Sequence, residues 1–131
     1  MKASTLQWLE LAQADLRSCE NNMHDDFVSN IIAFHSQQVV EKAFKALLEE
    51  GGIPIPKVHN LTRLHTLSEP FLIEPIDLSE LDVLDDVYTS SRYPVEIGMM
   101  ATGKPTLAES KEFYEIAKKI YLMIVNVIDK F

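Results

Sequence analysis

Apolar residues recur at steps of three and four along most of this chain, which is the spacing of one face of an amphipathic helix. The first apolar stripe comprises Leu6, Leu9, Ala12, Leu16, Cys19 and Met23. It follows the segment Ser4–Gln7, whose Ser-Thr-Leu-Gln pattern is typical of a capping box and predicts that a helix begins there.

A second, longer stripe predicts a helix that Asp25 and Asp26 cap and that runs to about Glu50. Gly51 and Gly52 then end it. The stripe comprises Val28, Ile31, Ile32, Val39, Val40, Phe44, Leu47 and Leu48.

Prolines and capping residues divide the middle of the chain. The segment 53–56 reads Ile-Pro-Ile-Pro and cannot be helical, because each proline restricts the residue before it. Asn60 is expected to cap a short third helix, and Asp77 to open a fourth one that ends or bends before Pro94. Residues 98–105 read as a loop.

The last helix has two apolar faces. It starts at the capping-box pattern Thr106–Glu109. One face comprises Phe113, Ala117, Ile120, Ile124, Val127 and Phe131. The adjoining face comprises Tyr114, Tyr121, Val125 and Ile128. This second face forms a subunit contact, or it is buried because the helix is central to the fold.

These elements predict an all-α, up-and-down bundle of four to five helices, since no segment alternates with the period of a strand. A chain of 131 residues is the usual size of one domain, so residues 1–131 are expected to form a single unit.

Charge and composition then exclude several classes of protein. The net charge of −8 argues against non-specific binding to DNA or RNA, which needs many phosphate contacts. The apolar run 120–128 is too short to span a bilayer, and residues 1–10 do not have the pattern of a secretion signal. We therefore expect a cytoplasmic protein, with the single Cys19 as a buried, reduced thiol.

Polar residues share one face in the middle of the second helix, at His35, Gln38 and Lys42, and Gln37 and Glu41 lie beside them. This polar stripe is either a solvated face on which Gln37 and Glu41 pair at helical spacing, or part of a binding site.

The order of motifs resembles the HEPN domain family, a name that abbreviates "higher eukaryotes and prokaryotes nucleotide-binding". The motifs are Ala12-x-x-Asp15-Leu16, Phe34-His35-x-Gln37-Gln38-x-x-Glu41-Lys42-x-x-Lys45, Lys57-x-His59-Asn60-Leu61 and Tyr88-x-x-x-Arg92-Tyr93-Pro94. The resemblance covers about residues 6 to 129.

The resemblance implies a helical bundle that is often a homodimer and whose stand-alone members pair with small nucleotidyltransferase subunits, as in toxin–antitoxin systems. Some relatives are metal-independent RNases with Arg, four to six residues and then His on a late helix. Here Arg92 is followed by no histidine, so we expect no catalytic residues in this chain. The alternatives are a metal-independent RNase toxin and an interaction scaffold without a ligand.

A nucleotide such as ATP is the expected ligand, and no other cofactor is expected. Arg92 would meet phosphate oxygens with its guanidinium fork, and Tyr88 or Tyr93 would stack on a base. The full set of candidate binding residues is Arg92, Tyr93, Tyr88, His35, Gln38, Lys42, Lys57 and His59.

Each candidate also has a structural explanation. Arg92 would form a salt bridge to Glu41, Asp85 or Asp86, and the tyrosines would pack in the core. The histidines lack metal-ligand spacing, so no metal site is predicted.

Overall fold

Five α-helices form the protein in a computed structural model that describes residues 1–88, 98–100 and 103–131. The helices are α1 (Ala3–Asn21), α2 (Ser29–Glu50), α3 (Leu61–Ser68), α4 (Leu78–Tyr88) and α5 (Leu107–Asp129). Short 3-10 turns, Asp26–Val28 and Glu69–Phe71, precede α2 and follow α3. The described residues contain no strand, and the predicted all-α bundle is confirmed.

Helix α2 is the centre of the bundle. It packs along its length against α1 on one side and α5 on another, while α3 and α4 pack across it. Its core residues are Ile32, Val39, Val40, Phe44, Leu47 and Leu48, all fully buried. None of the helices in the described ranges is long and apolar enough to cross a membrane.

The predicted helix ends are largely confirmed by their capping hydrogen bonds. Asn60 Oδ1 accepts from the Arg63 amide at 2.8 Å, and Thr106 and Glu109 form a reciprocal capping box. At the end of α2, Gly52 has φ +72° and the Ile53 amide donates to Leu48 O at 2.9 Å. This is a Schellman-type end, which glycine adopts without strain.

The capping box predicted at Ser4 is wrong. Helix α1 begins at Ala3 after Lys2, and no side chain caps it. Ser4 Oγ instead donates to Glu49 Oε1 at 2.8 Å, and Thr5 Oγ1 donates to Glu50 Oε1 at 2.9 Å. The hydroxyl groups that the local sequence would assign to a cap therefore donate to the carboxylates at the end of α2.

At the start of α2, Asp25 caps the 3-10 turn rather than the helix, since its side chain accepts from the Phe27 amide.

The α1 stripe is also rotated: Leu6 is exposed, whereas Thr5 and Asp15 are buried. The thiol of Cys19 is buried as predicted and donates to Ile32 O at 3.5 Å. Burial raises its pKa to about 12, so it is protonated at neutral pH.

The second apolar face of α5 is mostly buried inside the protomer. Tyr114, Tyr121 and Ile128 are buried, and Val125 is partly buried against the core, so the central position of the helix accounts for this face. Leu122, next to Tyr121 on α5, is exposed.

Gly98 brings the chain back against the first turn of α2. Its φ is +73°, and a Cβ there would lie 1.7 Å from Asn30 O. Only glycine fits this approach, because any side chain would meet the α2 backbone itself.

Candidate functional site

A buried carboxylate on α1 holds a histidine and a lysine of α2. Asp15 lies on the core face of α1, and its Oδ1 accepts from His35 Nδ1 at 2.6 Å. Its Oδ2 accepts from Lys42 Nζ at 2.6 Å. We call Asp15, His35 and Lys42 the Asp15 unit. Both basic side chains are partly exposed, 27% for His35 and 20% for Lys42.

A second carboxylate, Glu41 of α2 itself, makes a similar arrangement. Glu41 Oε1 accepts from His59 Nδ1 at 2.8 Å, and its Oε2 accepts from Lys45 Nζ at 3.3 Å. We call Glu41, His59 and Lys45 the Glu41 unit. Glu41 and Lys45 are buried, and the Lys45 ammonium lies 5.6 Å from the ring centre of Trp8. His59 differs sharply, because 56% of its side chain is exposed.

The amide of Gln37 ties the Glu41 unit to α3 and α4. Its Nε2 donates to the backbone oxygen of His59 at 2.9 Å and to Asp85 Oδ1 at 3.4 Å, and its Oε1 accepts from Gln38. Both oxygens of Asp85 accept from the Leu61 amide at the start of α3. This network fixes the loop that carries His59.

Burial raises the pKa of Asp85, although the hydrogen bonds from the Leu61 amide and from Gln37 partly offset that effect. Its carboxyl therefore becomes charged at a higher pH than an ordinary aspartate.

Aromatic rings line the same region. Tyr88, the last residue of α4, stacks on Phe34 with ring centres 6.0 Å apart and lies 5.3 Å from the His59 ring. Phe34 in turn contacts His35 edge-on at 5.3 Å. Burial, and then the charge of Glu41, raise the pKa of Tyr88, so its hydroxyl is neutral at physiological pH.

Five of the eight predicted binding residues make contacts in the described structure: Tyr88 contacts His59, His35 and Lys42 meet at Asp15, and Gln38 donates to Gln37. Lys57 is exposed in the loop two residues before His59. Arg92 and Tyr93 lie outside the described residues, as does the salt bridge considered for Arg92. Across the described ranges, no group of three or more His, Cys, Asp or Glu side chains could hold a metal ion.

The interpretation of the polar stripe as a solvated face holds only in part: His35, Gln38 and Lys42 are partly exposed, but the expected pairing of Gln37 with Glu41 is wrong. Gln37 is fully buried, Glu41 and Lys45 are nearly so, and Gln37 pairs with Asp85 rather than with Glu41. The sequence did contain a signal for this, because Asp15 and Glu41 both lie at core positions of their helices. A carboxylate on a buried face needs a cation or a hydrogen-bond donor beside it.

The comparisons with known proteins agree with this architecture. The HEPN domain family model matches residues 5–128. The chain belongs to the HEPN domain family. The crystal structure of an archaeal HEPN homologue superposes on this HEPN domain with a TM-score of 0.73. The two proteins are 28% identical, and the match covers 98% of this chain and 99% of the other. No curated protein matches the sequence.

The family assignment places the two units within a HEPN fold, since the motifs that carry the resemblance are the ones that build the site. Asp15, His35 and Lys42 meet in one unit, and Glu41, Lys45 and His59 meet in the other.

Proposed function

We propose that this HEPN protein is a nucleotide-binding subunit that works with a small nucleotidyltransferase, as in toxin–antitoxin-like two-component systems. The nucleotide lies beside His59 and Tyr88, and Arg92 and Tyr93 are further candidate binding residues. The observation that carries the proposal is the exposed imidazole of His59, which a buried carboxylate and a neighbouring aromatic ring hold in place.

The placement of His59 is more than folding requires. Lys45 already neutralises Glu41, and a pair between a carboxylate and a largely exposed side chain contributes only about 0–1 kcal/mol to stability. A fixed, exposed polar edge next to an aromatic ring is what a ligand site needs, because the protein does not have to order these groups when the ligand binds.

Charge favours a small ligand over a nucleic acid polymer. The net charge is −8, and Lys42 and Lys45 each pair with a buried carboxylate. Phosphate oxygens would therefore be met by Lys57, by Arg92 and by His59. A few such contacts suit one nucleotide, whereas a polymer requires a wide basic surface.

The nucleotidyltransferase partner and a homodimeric state belong to the same proposal, and family membership supports them. Light scattering after size-exclusion chromatography tests the homodimer. A mass of one protomer across a tenfold concentration range would contradict it.

Calorimetric titration with ATP, ADP and AMP tests nucleotide binding. We expect saturable binding by the natural protein and a loss of at least about tenfold in affinity in both Arg92→Ala and Tyr88→Ala. Arg17→Ala is the matched control, since Arg17 is an exposed arginine on α1, a helix that contributes no residue to the proposed nucleotide site, and it should bind as the natural protein does.

The absence of heat with all three nucleotides, from protein shown to be folded by circular dichroism, would overturn the proposal. Equal losses in Arg92→Ala and Arg17→Ala would show that the ligand responds to overall charge rather than to this site.

A further inference from the structure

The hydrogen-bond partner of His59 determines which ring nitrogen carries a hydrogen. Glu41 uses Oε2 for Lys45 and Oε1 for His59 Nδ1, and an ionised carboxylate can only accept hydrogen bonds. The hydrogen of that 2.8 Å contact therefore belongs to Nδ1. The outer nitrogen of a neutral His59, Nε2, is then an acceptor, and it becomes a donor only when the ring gains a proton.

Nε2 is the nitrogen that a ligand can reach. The side chain is largely exposed, and within the described parts of the chain no hydrogen bond to Nε2 is formed. A dianionic phosphate has only acceptor oxygens, so it repels a neutral His59 at Nε2 and binds the protonated ring.

We propose that His59 is an anion-binding residue whose Nε2 donates to a phosphate oxygen of the nucleotide, and that forming this contact takes up one proton from solvent. The inference rests on the proposed nucleotide site and specifies how that site recognises phosphate. Glu41 stabilises the resulting imidazolium, because Nδ1 keeps its hydrogen bond to the carboxylate in both states.

The charged and titratable groups around His59 are consistent with this role. On α2 they are Glu41 and, through it, Lys45. On α4 they are Tyr88, whose ring contacts His59, and Asp85, which shares the Gln37 amide with the His59 backbone. Lys57 precedes it on the same loop, and Arg63 is exposed on the helix that follows.

Tyr88 keeps its hydroxyl proton at physiological pH, since its pKa is raised, and the pairing of Lys45 with Glu41 cancels one charge of each sign. Protonation of His59 therefore changes the charge of the Glu41 unit from zero to +1 where the phosphate binds.

Calorimetry with AMP, in pairs of buffers that differ in ionisation enthalpy, counts the protons taken up on binding. Measurements between pH 7 and 8.5 keep the AMP phosphate dianionic. We expect the natural protein to take up about one proton more than His59→Gln at the upper end of this range. Its dissociation constant should rise by up to about tenfold per pH unit.

His24→Gln is the matched control, because His24 is an exposed histidine in the turn after α1, and it should behave as the natural protein does. Adenosine, which has no phosphate, should bind with an affinity that does not change over this range.

Two outcomes would overturn the inference while the proposed function stands. One is AMP binding with the same proton count in the natural protein and in His59→Gln. The other, decisive even if His59→Gln binds nothing, is an AMP affinity of the natural protein that does not change between pH 7 and 8.5. If neither AMP nor adenosine binds the natural protein at any pH, the proposed function itself fails.

Discussion

The Asp15 unit and the Glu41 unit use the same three residue types in different ways. In both, one oxygen of a buried carboxylate accepts from a lysine and the other from the Nδ1 of a histidine. In the Asp15 unit the carboxylate is on α1 and both basic residues are on α2, so the unit joins two helices. In the Glu41 unit the carboxylate and the lysine share α2, and the histidine comes from a loop.

The Asp15 unit therefore stabilises the packing of two helices, whereas the Glu41 unit holds an exposed side chain in place. His35 and Lys42 are both partly covered, and both secure the α1–α2 contact. In the Glu41 unit the lysine is buried and the histidine exposed. The same local chemistry therefore stabilises a helix pair in one place and orients an exposed ring in the other.

Removal of each carboxylate should give the largest effects and should differ between the units. We expect Glu41→Ala to lower the free energy of unfolding by about 3–5 kcal/mol, because it leaves Lys45 buried without its anion. Asp15→Ala should lower it by about 1–3 kcal/mol, since Lys42 and His35 can both reach water.

Urea unfolding measures both changes, with the exposed Glu112→Ala as a control expected within about 0.5 kcal/mol of the natural protein. Equal losses in Asp15→Ala and Glu41→Ala would remove the distinction between the two units.

The double variant Glu41→Leu with Lys45→Met separates stability from ligand binding. Replacing a whole buried ion pair by apolar residues of similar size is often nearly neutral, so we expect stability within about 2 kcal/mol of the natural protein. Because His59 loses its partner, nucleotide affinity should fall by about tenfold. A double variant that unfolds readily, or that binds nucleotide normally, would contradict the role assigned to the Glu41 unit.

Asp85 extends the comparison to a third buried carboxylate, one that accepts from amides. The pKa of Asp85 is higher in the folded than in the unfolded protein. Its contribution to the free energy of unfolding is therefore greatest below the unfolded pKa, about 3.9. That contribution is lost as the pH rises through the folded pKa. We expect the natural protein to lose stability relative to Asp85→Asn as the pH rises above about 4. Urea titrations at several pH values measure this, and a constant difference would contradict it.

The smallest expected effect concerns the reactivity of the Cys19 thiol. It tests whether the α1–α2 contact stays closed to solvent without the Asp15 unit. Burial is the main cause of the raised pKa of this thiol, with a smaller contribution from the charge of Asp15. We expect Ellman's reagent to leave the thiol of the folded protein unmodified at pH 8 while it reacts readily with the unfolded chain. The Cys19 thiol of Asp15→Ala should also remain unreactive while that variant is folded. Rapid labelling of the folded variant would contradict this and would show that the Asp15 unit is needed to keep the α1–α2 contact closed.

The sequence predicted the helices well because their signals are local. The capping pairs at Asn60 and Thr106 lie within three residues of their partners, and the α5 periodicity extends over the whole helix. Ser4 was misassigned because its partner, Glu49, is 45 positions away. A local pattern carries no information about such a contact.

The contacts of the candidate site residues could be predicted only in part, for the same reason. The residue types on α2 and the His59 loop were identified, and the family resemblance placed them in one region. Their pairing was missed, since Asp15 meets Lys42 across 27 positions and Glu41 meets His59 across 18. Periodicity shows which face a residue occupies, whereas the partner of a buried charge depends on how the helices pack.

Trp8, which lies beside Lys45, provides an intrinsic fluorescent probe of the Glu41 unit. It is the single tryptophan of the chain, and the ammonium near its ring belongs to the Glu41 unit. Indole emission shifts with nearby charge, so we expect a change at His59 that alters Glu41 and Lys45 to alter the fluorescence of the unlabelled protein. The state of the proposed binding loop can thus be followed in real time, by stopped-flow mixing, without a dye or an engineered reporter.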